Sequence, residues 1–200
     1  LPSMYHQFKQ LADIDITKEP MEVGPTTHYV MGGILVDADT QLSTLPGLFA
    51  AGECAAGING ANRLGGNSLS DLLVFGKRAG EHAARFAKAN EIGQINEDQV
   101  GQVAREAVEP FDRPDEPIAD GPYQVQYDLQ KLMQDLVGIV RTEEEIVQAI
   151  DGIGRLWERA RTVRVYGNRE YNNGWHTALD LPNLLTVAES IAKSAIERRE

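Results

Sequence analysis

The side chains with the most chemical potential cluster in the first third of the chain. Glu53 follows a short apolar run, residues 48–51, and Gly52. Residues 54–66 then hold four glycines and two asparagines, a composition suited to close backbone approach by a ligand. Arg63 is the single charged residue between positions 54 and 70. A guanidinium there can grip a carboxylate through two parallel hydrogen bonds, which a lysine does less well. His28 stands shortly before Gly32-Gly33 and can donate to a carboxylate or carry a proton. A helical pattern opens near Ser68, and its first turn points unpaired N–H groups and a positive dipole end toward the loop. An electron-rich or anionic group is favoured at such a place. Glu53, at the carboxyl end of a strand, is positioned to accept from a ligand hydroxyl, because ligands of open α/β sheets bind outside those ends.

Each feature also has a plainer reading. A glycine-rich connection can simply precede an ordinary capped helix. By spacing alone Arg63 reads first as a surface arginine, and His28 as a satisfied structural histidine.

The elements that position these residues follow from periodicity. Residues 3–12 read as a short helix, with Met4, Phe8 and Leu11 at near-helical spacing. Residues 17–25 read as extended chain, and 27–36 have strand composition broken by Gly32-Gly33. Residues 37–40 form a turn, and 48–51 a short buried strand. From Ser68 to about Ala89, Leu69, Leu72, Leu73, Gly76, Ala79 and Ala83 share a helix face, with Asn67 or Ser68 as cap. Residues 97–108 form a weaker polar helix. Residues 110–122, with four prolines, read as a connector. Three strong helices follow, at 122–137, 142–163 and 181–199. The second opens on the capping box Thr142 and Glu145, and all three carry apolar stripes that suggest a bundle. Trp157, Trp175 and the run 164–171 suit either internal packing or a face toward another domain or subunit.

Composition narrows the field. The 200 residues are 42% hydrophobic and 24% charged, which is ordinary for a globular protein and excludes a disordered tail, a collagen-like rod or a disulfide-stapled miniprotein. With 19 basic and 30 acidic residues the net charge is −11, so the surface repels phosphate backbones and no nucleic-acid partner is expected. No apolar run is long enough to span a bilayer, so no direct membrane insertion is expected. Cys54 is the only cysteine; no intramolecular disulfide forms, and a cytosolic-type compartment is expected. No metal-ligand spacing stands out.

Two motif blocks carry a family resemblance. The run 28–34 (HYVMGGI) and the stretch 44–76 (TLPGLFAAGECAAGINGANRLGGNSLSDLLVFG) resemble the flavoprotein subunit of succinate dehydrogenase and fumarate reductase. The opening LPSMYHQF and the late run 174–181 (GWHTALDL) are similar to that family too. The resemblance implies an FAD-dependent oxidoreductase of electron transport and the tricarboxylic acid cycle, interconverting succinate and fumarate by hydride transfer at flavin N5. It implies that Arg63 and His28 bind the substrate carboxylates and that Glu53 binds the ribityl chain of FAD. Ser68 and Leu69 would present backbone at the pyrimidine end of the flavin, and Gly32 and Gly33 would leave room beside it. The protein's part is position and electrostatics, while the flavin carries the redox chemistry. Most relatives have histidine where this chain has Asn59, which can donate a hydrogen bond but cannot titrate.

The same resemblance implies an internal fragment. No G-x-G-x-x-G follows a first strand, and Gly152-Ile153-Gly154 lacks the third glycine. The arginine that donates the proton in the family mechanism lies upstream of the first block, so no catalytic residue is expected here. The expected fold is an α/β piece of a FAD-binding domain followed by an antiparallel three-helix bundle, mainly α overall. The expected division is 1–23 as the end of a capping domain, 24–90 as the C-terminal part of the FAD-binding domain, 91–121 as a connector with a short helix, and 122–200 as the helical domain. Partners implied are a small dicarboxylate, an iron-sulfur subunit and membrane-anchor subunits, with a cytoplasmic location, peripheral on the membrane through those subunits. FAD belongs to the whole protein; the isolated segment is expected to hold it weakly or not at all and to be inactive. The alternatives are an L-aspartate oxidase-like flavoprotein, with a similar GANRL block, or a non-catalytic helical interaction module.

Overall fold

A computed structural model describes residues 2–24, 26–114 and 121–198. Six α-helices dominate them: α1 (Pro2–Ala12), α2 (Asn67–Ala89), α3 (Glu97–Asp112), α4 (Pro122–Leu136), α5 (Glu143–Ala160) and α6 (Asn173–Glu197). A single 3₁₀ turn, Gly52–Cys54, precedes α2.

The bundle forms as its stripes require. Helices α4, α5 and α6 pack pairwise against one another. Val125 and Leu129 of α4, Ile153 of α5, and Leu181, Leu185 and Ala192 of α6 are buried in one core. The Thr142–Glu145 capping box is formed as expected: Thr142 Oγ1 accepts from Glu145 N, and the Glu145 carboxylate accepts from Thr142 N. The expected helix at 181–199 begins eight residues earlier, at Asn173. Asn172 caps it by accepting from Trp175 N at 2.9 Å, and Pro182 lies inside it. An interior proline removes one i→i−4 donor, but the capped turns before it and the buried stripe after it hold the helix together. Helix α3 likewise runs through Pro110 to Asp112, four residues past its expected end. Its C-terminal end is tied to the bundle. Trp175 Nε1 donates to Ala107 O at 2.6 Å, Arg113 Nη1 donates to Val163 O at 2.8 Å, and Val165 N donates to Pro110 O at 2.9 Å. Trp157 and Trp175 are both half-buried against the bundle core. Of the expected connector at 110–122, residues 115–120 lie outside the described residues, 110–112 belong to α3 and Pro122 opens α4.

The first part of the chain is less regular. The strand-like segments 27–36 and 48–51 do not form a ladder; the described residues contain isolated bridges only. These are Ile34 with Ala55 (parallel), and Val36 with Ser43 and Leu42 with Phe49 (antiparallel). Each segment meets a neighbour over one residue pair, too few to propagate a strand. Helix α2 lies along this scaffold. Arg78 Nη1 donates to Ala38 O at 2.9 Å, and Phe86 packs edge-on against Phe49 with ring centroids 6.1 Å apart. The expected cap residues of α2 are not used: Gly66 is the N-cap, in the left-handed region at φ 86°. The apolar stripe of α2 is also largely uncovered, with Leu69, Leu72 and Leu73 exposed at 68%, 56% and 76%. Among the described residues, no helix is long and apolar enough to cross a membrane.

Candidate functional site

The site is assembled where segment 28–34 runs beside the turn at 52–56. Ile34 N donates to Cys54 O at 2.8 Å, and Ala56 N donates to Ile34 O at 2.9 Å. This pairing depends on Gly33. Its φ of +125° is one that L side chains rarely adopt, and a Cβ there would fall 2.2 Å from Cys54 O. The chain itself therefore fills the space on the side-chain side of Gly33. Gly32, by contrast, has nothing within 4 Å of a built Cβ.

Glu53 joins the same two segments. Its Oε1 accepts from Val30 N at 2.9 Å. Its other carboxylate oxygen has no hydrogen bond among the described residues, so it remains available to a donor.

Arg63 reaches back to this place from the far end of the glycine loop. Its guanidinium carbon lies 4.5 Å from the centroid of the Tyr29 ring, a cation–π contact. Nη1 donates to Leu64 O at 3.3 Å. Nε is buried and has no hydrogen-bond partner among the described residues. An unsatisfied buried guanidinium N–H is costly, and an anion offers what it lacks. His28, next to Tyr29, is exposed. The structure thus brings Glu53, Arg63 and the backbone of the His28 segment together, through Val30 and Tyr29. Sequence reasoning missed Tyr29, which no spacing rule singles out.

The start of α2 completes the site. Gly66 contributes no capping side chain, so the first-turn N–H groups of α2 have no side-chain acceptor. Ser68 is half-buried and Leu69 is exposed. Behind them Asp71 is buried at 6% exposure, and its Oδ2 accepts from Asn59 Nδ2 at 3.1 Å. Sequence reasoning did not pair these two. Positions 57, 60, 65 and 66 are glycines with open space where a Cβ would stand. An uncapped helix start, an open glycine loop, an exposed leucine and a carboxylate oxygen with room for a donor fit a large, flat, polyhydroxylated cofactor with an electron-rich ring.

Comparison with known proteins bears on the family and the cofactor. Residues 1–69 match the model of the FAD binding domain, and residues 126–200 match that of the fumarate reductase flavoprotein C-terminal region. The chain is 37% identical, over 94% of its length, to the fumarate reductase flavoprotein subunit of Haemophilus influenzae, of which it covers 31%. It is 35% identical, over its whole length, to the succinate dehydrogenase flavoprotein subunit of Coxiella burnetii, covering 36% of it. Together these matches support a segment of the fumarate reductase and succinate dehydrogenase flavoprotein subunit. Among solved structures, the Mycobacterium smegmatis Sdh1 complex in the apo form superposes with a TM-score of 0.89 at 52% identity, over all of this chain and 34% of that one. The chain thus spans about a third of the length of these relatives. FAD is the cofactor of the matched domain, and the mainly helical architecture, a FAD-domain piece plus a helical domain, is the expected one.

Proposed function

We propose that the flavoprotein containing this segment interconverts succinate and fumarate. The observation that carries the reading is Arg63. Its buried Nε has no partner among the described residues, and its guanidinium is stacked on Tyr29, the neighbour of His28. A dicarboxylate brings two negative charges. Arg63 takes one carboxylate by paired hydrogen bonds, and His28 donates to the other. Two donors on one small diacid hold its central carbons in a single orientation, and that orientation is the main contribution of this wall of the site. Glu53, with Oε1 already bound to Val30 N, turns its remaining oxygen to a ribityl hydroxyl of FAD. Ser68 and Leu69 present backbone at the α2 start, where the helix dipole favours electron-rich atoms; Leu69 N itself donates to Gly66 O at 3.2 Å. Gly32 leaves open space beside them, and Gly33 lets the segment approach Cys54. Bound FAD supplies the hydride acceptor and donor. The general acid comes from outside these residues.

The relatives, fumarate reductase and succinate dehydrogenase flavoprotein subunits, support this reading over an L-aspartate oxidase or a non-catalytic module. We propose the same division of the chain: 1–23 as capping-domain end, 24–90 as part of the FAD-binding domain, 91–121 as connector and 122–200 as helical domain. We further propose that the whole protein works with an iron-sulfur subunit and membrane-anchor subunits, peripheral to the membrane on its cytoplasmic side. Two structural relatives, the Mycobacterium smegmatis Sdh1 complex and a quinol-fumarate reductase with menaquinol molecules, support a multi-subunit assembly that handles a quinol. The segment alone is then inactive and holds little FAD, since part of a site does not recover the binding free energy of the whole.

The test is the succinate:acceptor activity of the parent flavoprotein carrying Arg63→Ala or His28→Ala, with L-aspartate as the competing substrate. Loss of succinate turnover in both variants is expected. Near-wild-type turnover in both, or oxidation of L-aspartate in preference to succinate, overturns the reading.

A further inference from the structure

We infer that Asn59 and Asp71 together form a positioning device that sets where Arg63 presents its guanidinium. The inference rests on the substrate reading above and adds two residues to it.

The loop between Gly57 and Gly66 has little of its own to hold it. Four of its positions are glycines, each with open space where a Cβ would stand. Its entry is fixed by Ala55, buried and paired with Ile34. Its exit is fixed by backbone bonds, Asn67 N to Leu64 O and Leu69 N to Gly66 O, both at 3.2 Å. Between entry and exit, the one side-chain hydrogen bond from loop to α2 among the described residues runs from Asn59 Nδ2 to Asp71 Oδ2. Arg63 lies four residues beyond Asn59 in the same loop. Its contact with Tyr29 at 4.5 Å is thus made from a loop whose side-chain tie to α2 is at Asn59.

The chemistry suits an anchor. Asp71 is one of two buried polar or charged side chains among the described residues, and a buried carboxylate without a donor is strongly disfavoured. Asn59 is the one side chain that donates to it there. Removing that amide leaves the carboxylate unpaired and releases the loop from α2 at Asn59. A loop so released no longer sets where its guanidinium stands. A displacement on the order of 1 Å costs up to about a hundredfold in an oriented site.

The test uses the FAD-loaded parent flavoprotein and malonate, a non-reacting dicarboxylate, as the probe. Its Kd is read from the perturbation of the flavin absorbance in wild type, Asn59→Ala, Arg63→Ala and the double variant. The expected result is a roughly tenfold weakening by Asn59→Ala, the scale of one charge-assisted hydrogen bond. In the Arg63→Ala background Asn59→Ala should then have little further effect, because residues acting through one group are not additive. Additive losses, or unchanged affinity in Asn59→Ala, overturn the positioning role while leaving the substrate reading intact. Unchanged affinity in Arg63→Ala overturns the substrate reading and the inference with it. If Asn59→Ala does not accumulate, Asn59→Asp is compared with the exchange Asn59→Asp plus Asp71→Asn, which reverses the hydrogen bond. Recovery of malonate binding by the exchange supports the device; failure to recover it counts against it.

Discussion

Arg63 lies over the ring of Tyr29, 34 positions earlier in the chain, with 4.5 Å between guanidinium carbon and ring centroid. Tyr29 is flanked by His28 and by Val30, whose N–H is held by Glu53. The aromatic ring is therefore the contact through which the glycine loop is referenced to the segment carrying the histidine. A cation–π contact contributes about 0.5–2 kcal/mol, depending on desolvation. Tyr29→Ala in the parent flavoprotein is expected to raise the KM for succinate roughly three- to thirtyfold on that scale. Tyr29→Phe, which keeps the ring face, should stay within about threefold of wild type. Equal losses in both variants would show that the hydroxyl, not the stacking, is what counts.

Gly33 and Gly32 are adjacent and make opposite demands on space. Both have positive φ, but only at Gly33 would a Cβ meet backbone, 2.2 Å from Cys54 O. Gly33→Ala must break the Ile34 N to Cys54 O bond or shift the 52–56 turn. A cost of about 2–4 kcal/mol is expected, combining left-handed strain with a lost backbone pairing. Gly32→Ala carries the strain alone, about 1–2 kcal/mol. Urea denaturation of the two variants, with flavin retention of the parent as a second readout, gives the ranking. A Gly32 variant less stable than the Gly33 variant contradicts it.

What could be read from the chain alone divides along contact range. The Thr142–Glu145 cap, the α5 stripe and the first helix are local patterns, and they stand where the sequence puts them. The start of α6 was hidden because Pro182 looks like a boundary, whereas Asn172 ten residues earlier does the capping. The stripe on α2 was legible as a stripe. Its exposure was not, because periodicity shows which residues share a face and not whether anything covers that face. The strand-like runs 27–36 and 48–51 have the composition but meet neighbours over single residue pairs. In the site, Arg63, His28 and Glu53 stand out by residue type, but spacing alone favours plainer readings, and it is the family resemblance that gives them roles. Tyr29 and Asp71, which hold Arg63 and its loop, act through contacts distant in sequence that no local rule anticipates.

Gly152 and Gly154 offer a clean contrast in α5. A Cβ at Gly154 meets nothing within 4 Å, while one at Gly152 falls 2.5 Å from Leu132 Cδ1 across the α4–α5 contact. Gly154→Ala should gain about 0.5–1 kcal/mol from helix propensity. At Gly152 the same gain is opposed by overpacking of about 1–3 kcal/mol, for a net loss of about 1 kcal/mol. Thermal melts of the chain check the opposite signs. A stabilised Gly152→Ala would mean that Leu132 finds another rotamer at little cost.

Trp175 fastens α3 to the bundle by its indole N–H, 2.6 Å from Ala107 O, and by edge contact with Phe111 at 5.5 Å. Trp175→Phe keeps an aromatic ring and removes the donor. About 1 kcal/mol of stability should be lost. Amide exchange should quicken mainly in α3, whose other ties to the bundle are Arg113 and Val165. Uniformly faster exchange across α4–α6 instead would place Trp175 in the core rather than at the joint.

Asp128 of α4 and Arg159 of α5 link two bundle helices at 2.7 Å, each about one-third exposed. The Arg159 hydrogen bond, helped by Gln124 Nε2 at 2.8 Å, holds the Asp128 carboxyl below its ordinary value against the opposing effect of burial. The unfolded chain has no such partners. The pair's stabilisation is therefore fully present above the unfolded aspartate value of about 3.9 and is lost as pH falls through the lower folded value. A partly exposed pair of this kind contributes about 0.5–1 kcal/mol. Asp128→Asn should thus be less stable than wild type by that amount at pH 7. The gap should close as the pH is taken down toward 3, with urea midpoints at each pH as the measurement. A gap that stays constant over that range would mean that shape or the amide's own hydrogen bonds, and not the carboxylate charge, account for the difference.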